Sequence, residues 1–318
     1  MYLIFLVIIA VVSRDIIVAG RQPKPPELVR LPPDHWVAPS LYINSSAGFN
    51  RQDLIYGEDL VAHTALYFGP EGSIAKISNG MNCQNCHLHA GTAAWGSNFG
   101  AVFSLYPKFN NRSGRTEGIA NRVNDCFERS LNGMAIDTAG KEMKAFIAYI
   151  SWLGKDVPKG VKPKGCGITE LPYPDRAADS KKGQVLFLAK CARCHGAGGE
   201  GVAGAAGYLY PPLWGPNSYN TGAGLYRLSK FAGFIKDNMP FDMATHQSPA
   251  LSDEEAWDLA AFVNSQPRPQ KETSGDWPDL SKKPIDHPFG PYSDGFSESQ
   301  HKFGPFKPIA DARVKIKN

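Results

Sequence analysis

The chain has 318 residues, of which 32 are glycine and 25 proline, a composition that suits one to three globular domains with many turns and extended loops. Its 34 basic and 30 acidic side chains leave a formal net charge of +4, and no basic stretch is interleaved with aromatics. Nucleic acid is therefore excluded as an expected partner, whereas small anions are not. The first twelve residues, MYLIFLVIIAVV, are all apolar, a run too short to cross a bilayer comfortably. Small residues at 18–20 offer a cleavage region, although no Lys or Arg precedes the run. Residues 1–20 read as a secretory signal, or as an N-terminal anchor if uncleaved, and membrane attachment is expected only in the second case. Either way the body is expected to be exported, in a periplasmic setting where disulfides persist. Residues 21–39 are proline-rich and read as an extended linker.

A first unit is expected over 40–165. It closes in KEMKAFIAYISWLG, where Met143, Phe146, Ile147, Ile150 and Leu153 share one helical face. Gly, Pro and Lys then break the pattern through residue 167. A second unit is expected over 175–267. It opens on a short helix leading into CARCH and closes in LSDEEAWDLAAFVNSQPRP. There Ser252 and Glu255 form a capping box and Pro267 stops the helix. Residues 268–318 carry aromatics, Gly and Pro without a period of 2 or 3.6, and read as an extended strap packed across both units.

Two stretches, CQNCH at 83–87 and CARCH at 191–195, have the Cys-x-x-Cys-His spacing of covalent c-type haem attachment. Thiols three apart on a helical turn point the same way and reach one porphyrin, and the adjoining imidazole turns onto the iron. Cys83 and Cys86 with His87 form one expected site, and Cys191 and Cys194 with His195 the other. Zinc would need two further ligands near each pair. The fold class that follows is mainly α: two tandem cytochrome c-type haem domains with long irregular loops, an extended C-terminal strap, and two covalently bound haems c as cofactors.

Each iron needs a second axial ligand. In the second unit Met239, followed by Pro240, precedes the closing helix and is the leading choice over Met243 and His246. In the first unit the matching stretch, GIANRVNDCFERSLNG, contains Cys126, with Met134 and His63 as competitors. Cysteine arithmetic offers a different use for Cys126, a disulfide with the other leftover cysteine, Cys166. From the residues alone both uses stay open.

The words around these motifs carry a resemblance. NRVNDCFERSLNG, with CQNCH upstream, CARCH and NMPF downstream and the HPFGPY…QHKFGPF tail, resembles the thiosulfate dehydrogenase family of dihaem cytochromes c, from about Gly57 to Phe306. The resemblance implies an enzyme that couples two thiosulfates into tetrathionate, or runs the reverse reaction, and passes electrons through two haems to a soluble cytochrome c or similar carrier. It implies Cys126 as distal ligand of the first haem, and Arg112, Arg122 and Ser130 as holders of the anion. Arg129 and Arg115 stand in reserve, Arg115 more simply as a solvated surface charge. Asn238 stands before Met239 where some members have Lys, which favours a steady His195/Met239 pair. The alternatives are a non-enzymatic dihaem electron carrier and the haem subunit of a sulfur-oxidising complex acting on a carrier protein.

Overall fold

The computed structural model describes residues 34–41 and 48–317; the N-terminal segment 1–20 and most of the linker lie outside the described residues. No described helix is long and apolar enough to cross a membrane. The first domain contains α1 (Arg51–Ala62), α2 (Thr64–Phe68), a 3-10 turn at Cys83–Asn85, and the short helices α3 (Leu88–Gly91) and α4 (Val102–Leu105). A hairpin of β1 (Lys108–Asn110) and β2 (Arg115–Glu117) follows, then α5 (Ile119–Arg129) and α6 (Lys141–Leu153). The second domain contains α7 (Ser180–Lys190), α8 (Ala192–His195), a hairpin of β3 (Val202–Gly204) and β4 (Gly207–Tyr210), α9 (Leu228–Asn238) and α10 (Asp253–Ser265). Helices α11 (Glu298–Phe303) and α12 (Lys307–Lys317) end the described chain.

Local chemistry sets these boundaries. Asn50 caps α1 and Asp179 caps α7 through their side chains. The expected capping box is formed: Ser252 Oγ accepts from the Glu255 N–H at 3.1 Å, and Glu255 Oε2 accepts from the Ser252 N–H at 2.8 Å. Each domain is then built on one crossing of its opening and closing helices, α1 on α6 and α7 on α10. At both crossings a glycine lets the backbones meet. A Cβ on Gly57 would lie 2.2 Å from the Ala145 carbonyl oxygen, and one on Gly183 would lie 1.9 Å from that of Asp258.

Helix α6 differs from the expected one-sided pattern. Met143, Phe146, Ile150 and Leu153 are buried, but so are Ala145, Tyr149, Ser151 and Trp152. The reason is position: Ala145 and Tyr149 face α1 at Gly57, while Phe146 and Ile150 line a cavity on the other side. Two apolar surfaces widen the buried face and narrow the exposed side to Lys141 and Lys144, and Ile147 is only half-buried.

The C-terminal segment crosses both domains, as its aromatics imply. Trp277 donates its backbone N–H to the Arg112 carbonyl at 2.7 Å in the first domain, and Phe306 is buried beside Trp257 in the second. It is extended only in part. Residues 307–317 form α12, held by buried Ile309 and a Lys307–Asp311 ion pair one turn apart.

Candidate functional site

The loop after the first motif takes left-handed backbone at His89, Ala90, Trp95 and Ser97. This brings the Ser97 carbonyl to 2.5 Å from His87 Nδ1. In the second domain the Pro211 carbonyl lies 2.9 Å from His195 Nδ1. A carbonyl only accepts, so each Nδ1 carries the proton and each Nε2 is left with its lone pair. That tautomer is the one an imidazole needs to bind a metal. Burial pushes the His87 imidazole down to about 4 and the His195 imidazole down as well, which keeps both neutral at ordinary pH.

Each histidine opens onto a cavity with a second sulfur donor in its wall. A cavity of about 240 Å³ is lined by Cys83, His87, Arg122 and Cys126 among others. A larger one, about 370 Å³, is lined by Cys191, Cys194, His195 and Met239, and reaches Cys86 of the first motif. The two cavities therefore approach each other across the Cys83–Cys86 turn. Two thiols, a neutral imidazole and a facing sulfur are a donor set that fits a haem c in each cavity. Among the competitors, Met134 and Met243 are exposed, and His63 pairs with Asp59. His246 stacks on Trp95 at 3.8 Å and bonds Asp237. Asn238 is buried and donates to the Trp95 and Phe234 carbonyls, which ties the residue before Met239 to the first domain.

Cys126 and Cys166 are both free thiols, so the disulfide is not formed. Cys126 faces the smaller cavity, whereas Cys166 packs in the first domain's core, where burial pushes its thiol up to about 11. Arg122 and Cys126 stand four apart on α5 and so share a face. The Arg122 guanidinium is held charged more firmly than usual, first by the neighbouring Cys126 sulfur, against the cost of burial.

The rest of the expected anion set lies outside the cavity wall. Arg112 sits in the turn of the first hairpin and is paired with Asp125. Burial lowers its pKa even though Asp125 opposes the shift. Ser130 caps the end of α5 and donates its backbone N–H to the Cys126 carbonyl at 2.9 Å. Arg129 is occupied by Asp276, with two contacts of 2.8 Å. Arg115 is exposed, 3.6 Å from Glu117. Sequence reasoning missed Lys108 and Lys162, which line the cavity with Tyr106. No spacing rule connects positions 108 and 162 to 126; they meet only through the fold.

Comparison with known proteins agrees with this plan. Residues 73–158 match the SoxA/TsdA cytochrome c domain, and residues 180–267 match cytochrome c. The thiosulfate dehydrogenase of Allochromatium vinosum is 44% identical over 206 residues, 63% of this chain and 74% of that protein. This chain belongs to the thiosulfate dehydrogenase family of dihaem cytochromes c. The thiosulfate dehydrogenase of Stutzerimonas stutzeri is 36% identical, covering 68% of this chain and 69% of that one. A solved structure of thiosulfate dehydrogenase (TsdBA) from Marichromatium purpuratum, in its "as isolated" form, matches with a TM-score of 0.66 and 32% identity. That match covers 74% of this chain and 50% of the other. As in the family, the chain carries two covalently bound haems c, one per cytochrome c domain.

Proposed function

We propose that this chain couples two thiosulfates into tetrathionate, or runs the same couple in reverse, and passes the electrons to a soluble cytochrome c or similar carrier. The observation that carries this reading is the placement of Cys126 and Arg122 on one face of α5, toward the cavity of Cys83 and His87. The haems supply two one-electron couples, matching the two electrons released when a sulfur–sulfur bond joins two thiosulfates. The residues supply the rest. Arg122 offers a planar, permanently charged fork to an oxyanion. Cys126 with His87, and Met239 with His195, would hold the iron of the haem in each cavity. A thioether from Met239 would favour a higher potential than a thiolate from Cys126, which would draw electrons toward the second domain. Arg112 reaches an anion only by leaving Asp125, so its part is smaller than that of Arg122. Ser130 adds a hydroxyl one turn beyond Cys126. Export to the periplasm, by a cleaved signal or a retained anchor, rests on the apolar run at residues 1–12.

The test is anaerobic visible spectroscopy of the oxidised holoprotein mixed with thiosulfate, beside Cys126→Ser. The expected result is reduction of the wild-type haems with formation of tetrathionate, and no reduction in the variant. If only tetrathionate exchanges electrons, by reoxidising reduced haems, the site stands and the enzyme is biased to reduction. If neither anion exchanges electrons, the reading fails and a plain electron carrier takes its place.

A further inference from the structure

Met239 stands at the head of a loop that runs to α10 with little packing of its own. Between Met239 and Ala250 only Ala244 is buried, and Phe241 and Met243 are exposed. The Arg193–Asp242 ion pair on this loop is exposed at both partners and so holds it weakly. Two better shielded contacts remain, and both end on one residue of the first domain. Asn238, immediately before Met239, is buried and donates its Nδ2–H to the Trp95 carbonyl at 3.1 Å. His246, toward the far end of the loop, stacks on the Trp95 indole with centroids 3.8 Å apart and planes 6° from parallel. His246 Nδ1 also lies 3.1 Å from the buried Asp237 carboxylate, which accepts from the Thr169 hydroxyl.

Trp95 is a fixed platform. Its backbone is left-handed, and its N–H donates to the Gly165 carbonyl at 2.8 Å. Ser97 donates its N–H to the Gly167 carbonyl at 3.0 Å, and the Asn98 side chain donates to the Ala93 and Gly165 carbonyls at 3.0 and 2.7 Å. The indole also meets the His35 ring, with centroids 4.7 Å apart. None of these contacts comes from the loop that Trp95 holds. The same short segment carries the Ser97 carbonyl that orients His87.

Resting on Met239 as the donor that would share the iron with His195, we infer that Trp95 is a positioning residue for Met239. Its carbonyl holds the loop just before the methionine and its ring holds the loop beyond it. A neutral thioether on an exposed loop keeps its place only through such supporting contacts. One segment of the first domain thus positions a donor in each cavity, His87 through Ser97 and Met239 through Trp95.

The test is thermal melting of the oxidised holoprotein followed at two signals. One is the weak far-red absorption that methionine sulfur gives on ferric haem; the other is the circular dichroism of the helices. The wild type is expected to lose both together. Trp95→Leu, His246→Ala and Asn238→Asp are expected to lose the far-red band first, whereas a merely structural defect would move both signals in step. Added imidazole should abolish the band in these variants at about a tenth of the concentration that the wild type needs, as befits the loss of an aromatic stack or a hydrogen bond. His246→Phe keeps a ring against the indole and should stay near the wild type. Trp95→Leu/His246→Ala should cost little more than either change alone, because both remove one contact. Asp242→Asn, at the exposed ion pair, should match the wild type. A far-red band that persists to global unfolding in all three variants overturns the inference. A wild type without the band takes Met239 off the iron and the inference with it, while the reaction at Cys126 stands or falls separately by the thiosulfate experiment above.

Discussion

Gly183 meets Asp258 so closely that a Cβ on the glycine would stand 1.9 Å from the aspartate's carbonyl oxygen, and 2.8 Å from the Cβ of Phe262 one turn on. The first domain repeats the relationship with Gly57, where the same construction meets the Ala145 carbonyl and, one turn on, Tyr149. A backbone oxygen cannot rotate away as a side chain can, so the helices must part. Gly183→Ala is expected to lower stability by about 1–3 kcal/mol or more, as overpacking of a closed interface does. Gly224→Ala has open space and should be close to neutral. Thermal unfolding of the two holoproteins decides it; equal midpoints would mean that α7 and α10 are not locked at this crossing.

The C-terminal strap is fastened to the first domain by Arg129 and Asp276, whose side chains are 12% and 13% exposed and meet through two contacts of 2.8 Å. Removing Asp276 leaves Arg129 only Asp125, 3.7 Å away and already shared with Arg112 and Arg122. Asp276→Asn is therefore expected to cost about 3 kcal/mol and to open the segment around 270–280 to protease. Replacing both partners by apolar residues of similar size should cost less than the single change. A double-mutant cycle by urea unfolding measures the difference, and a pair substitution as costly as the sum of the singles would refute the coupling.

Several parts of this architecture were legible in the residues because they are local. The CxxCH stretches, the Ser252–Glu255 capping box and the closing helices each lie within a few turns of chain. That Met239 lies near the second motif was legible for the same reason, and it does line the cavity of His195. The lysines at 108 and 162 were not, because they come from a strand and an inter-domain segment that only the fold brings to Cys126. The pairing of Arg112 with Asp125 was hidden similarly; nothing in the spacing says that a hairpin turn lies over α5. Helix α12 was missed because the Gly, Pro and aromatic residues before it set the character of the whole segment, while its own burial rests on Ile309 and little else.

Met239 and His195 share one cavity, and Asn238 is anchored to the Trp95 carbonyl at 3.1 Å. Met239→Leu keeps the volume roughly and removes the sulfur. The expected outcome is a changed visible spectrum for one haem of two, with slower turnover to an external acceptor and unaltered thiosulfate binding. Met243→Leu, at a residue 65% exposed, should leave the spectrum as it is. A spectrum unchanged in Met239→Leu but altered in Met243→Leu would reverse the assignment.

Asp286 is fully buried, accepts from Arg227 Nε at 2.9 Å and from the Ser229 N–H at 3.1 Å, and so pins the start of α9. Burial alone would raise its pKa, but Arg227 and the bonds from Ser229 outweigh burial and hold it below the ordinary carboxylate value. A carboxyl with a depressed folded pKa binds protons less readily than in the unfolded chain. Its contribution is therefore complete above the unfolded value of about 4 and is lost as pH falls through the folded one. Asp286→Asn is expected to be less stable than the wild type by about 3–5 kcal/mol at neutral pH, because Arg227 loses its buried partner. The gap should hold steady from neutral pH down to about 4 and narrow below it. Urea unfolding of both holoproteins across that range measures the gap directly. A gap that stays constant into strong acid would show that hydrogen-bond geometry at α9, and not the charge on Asp286, stabilises the strap against the second domain.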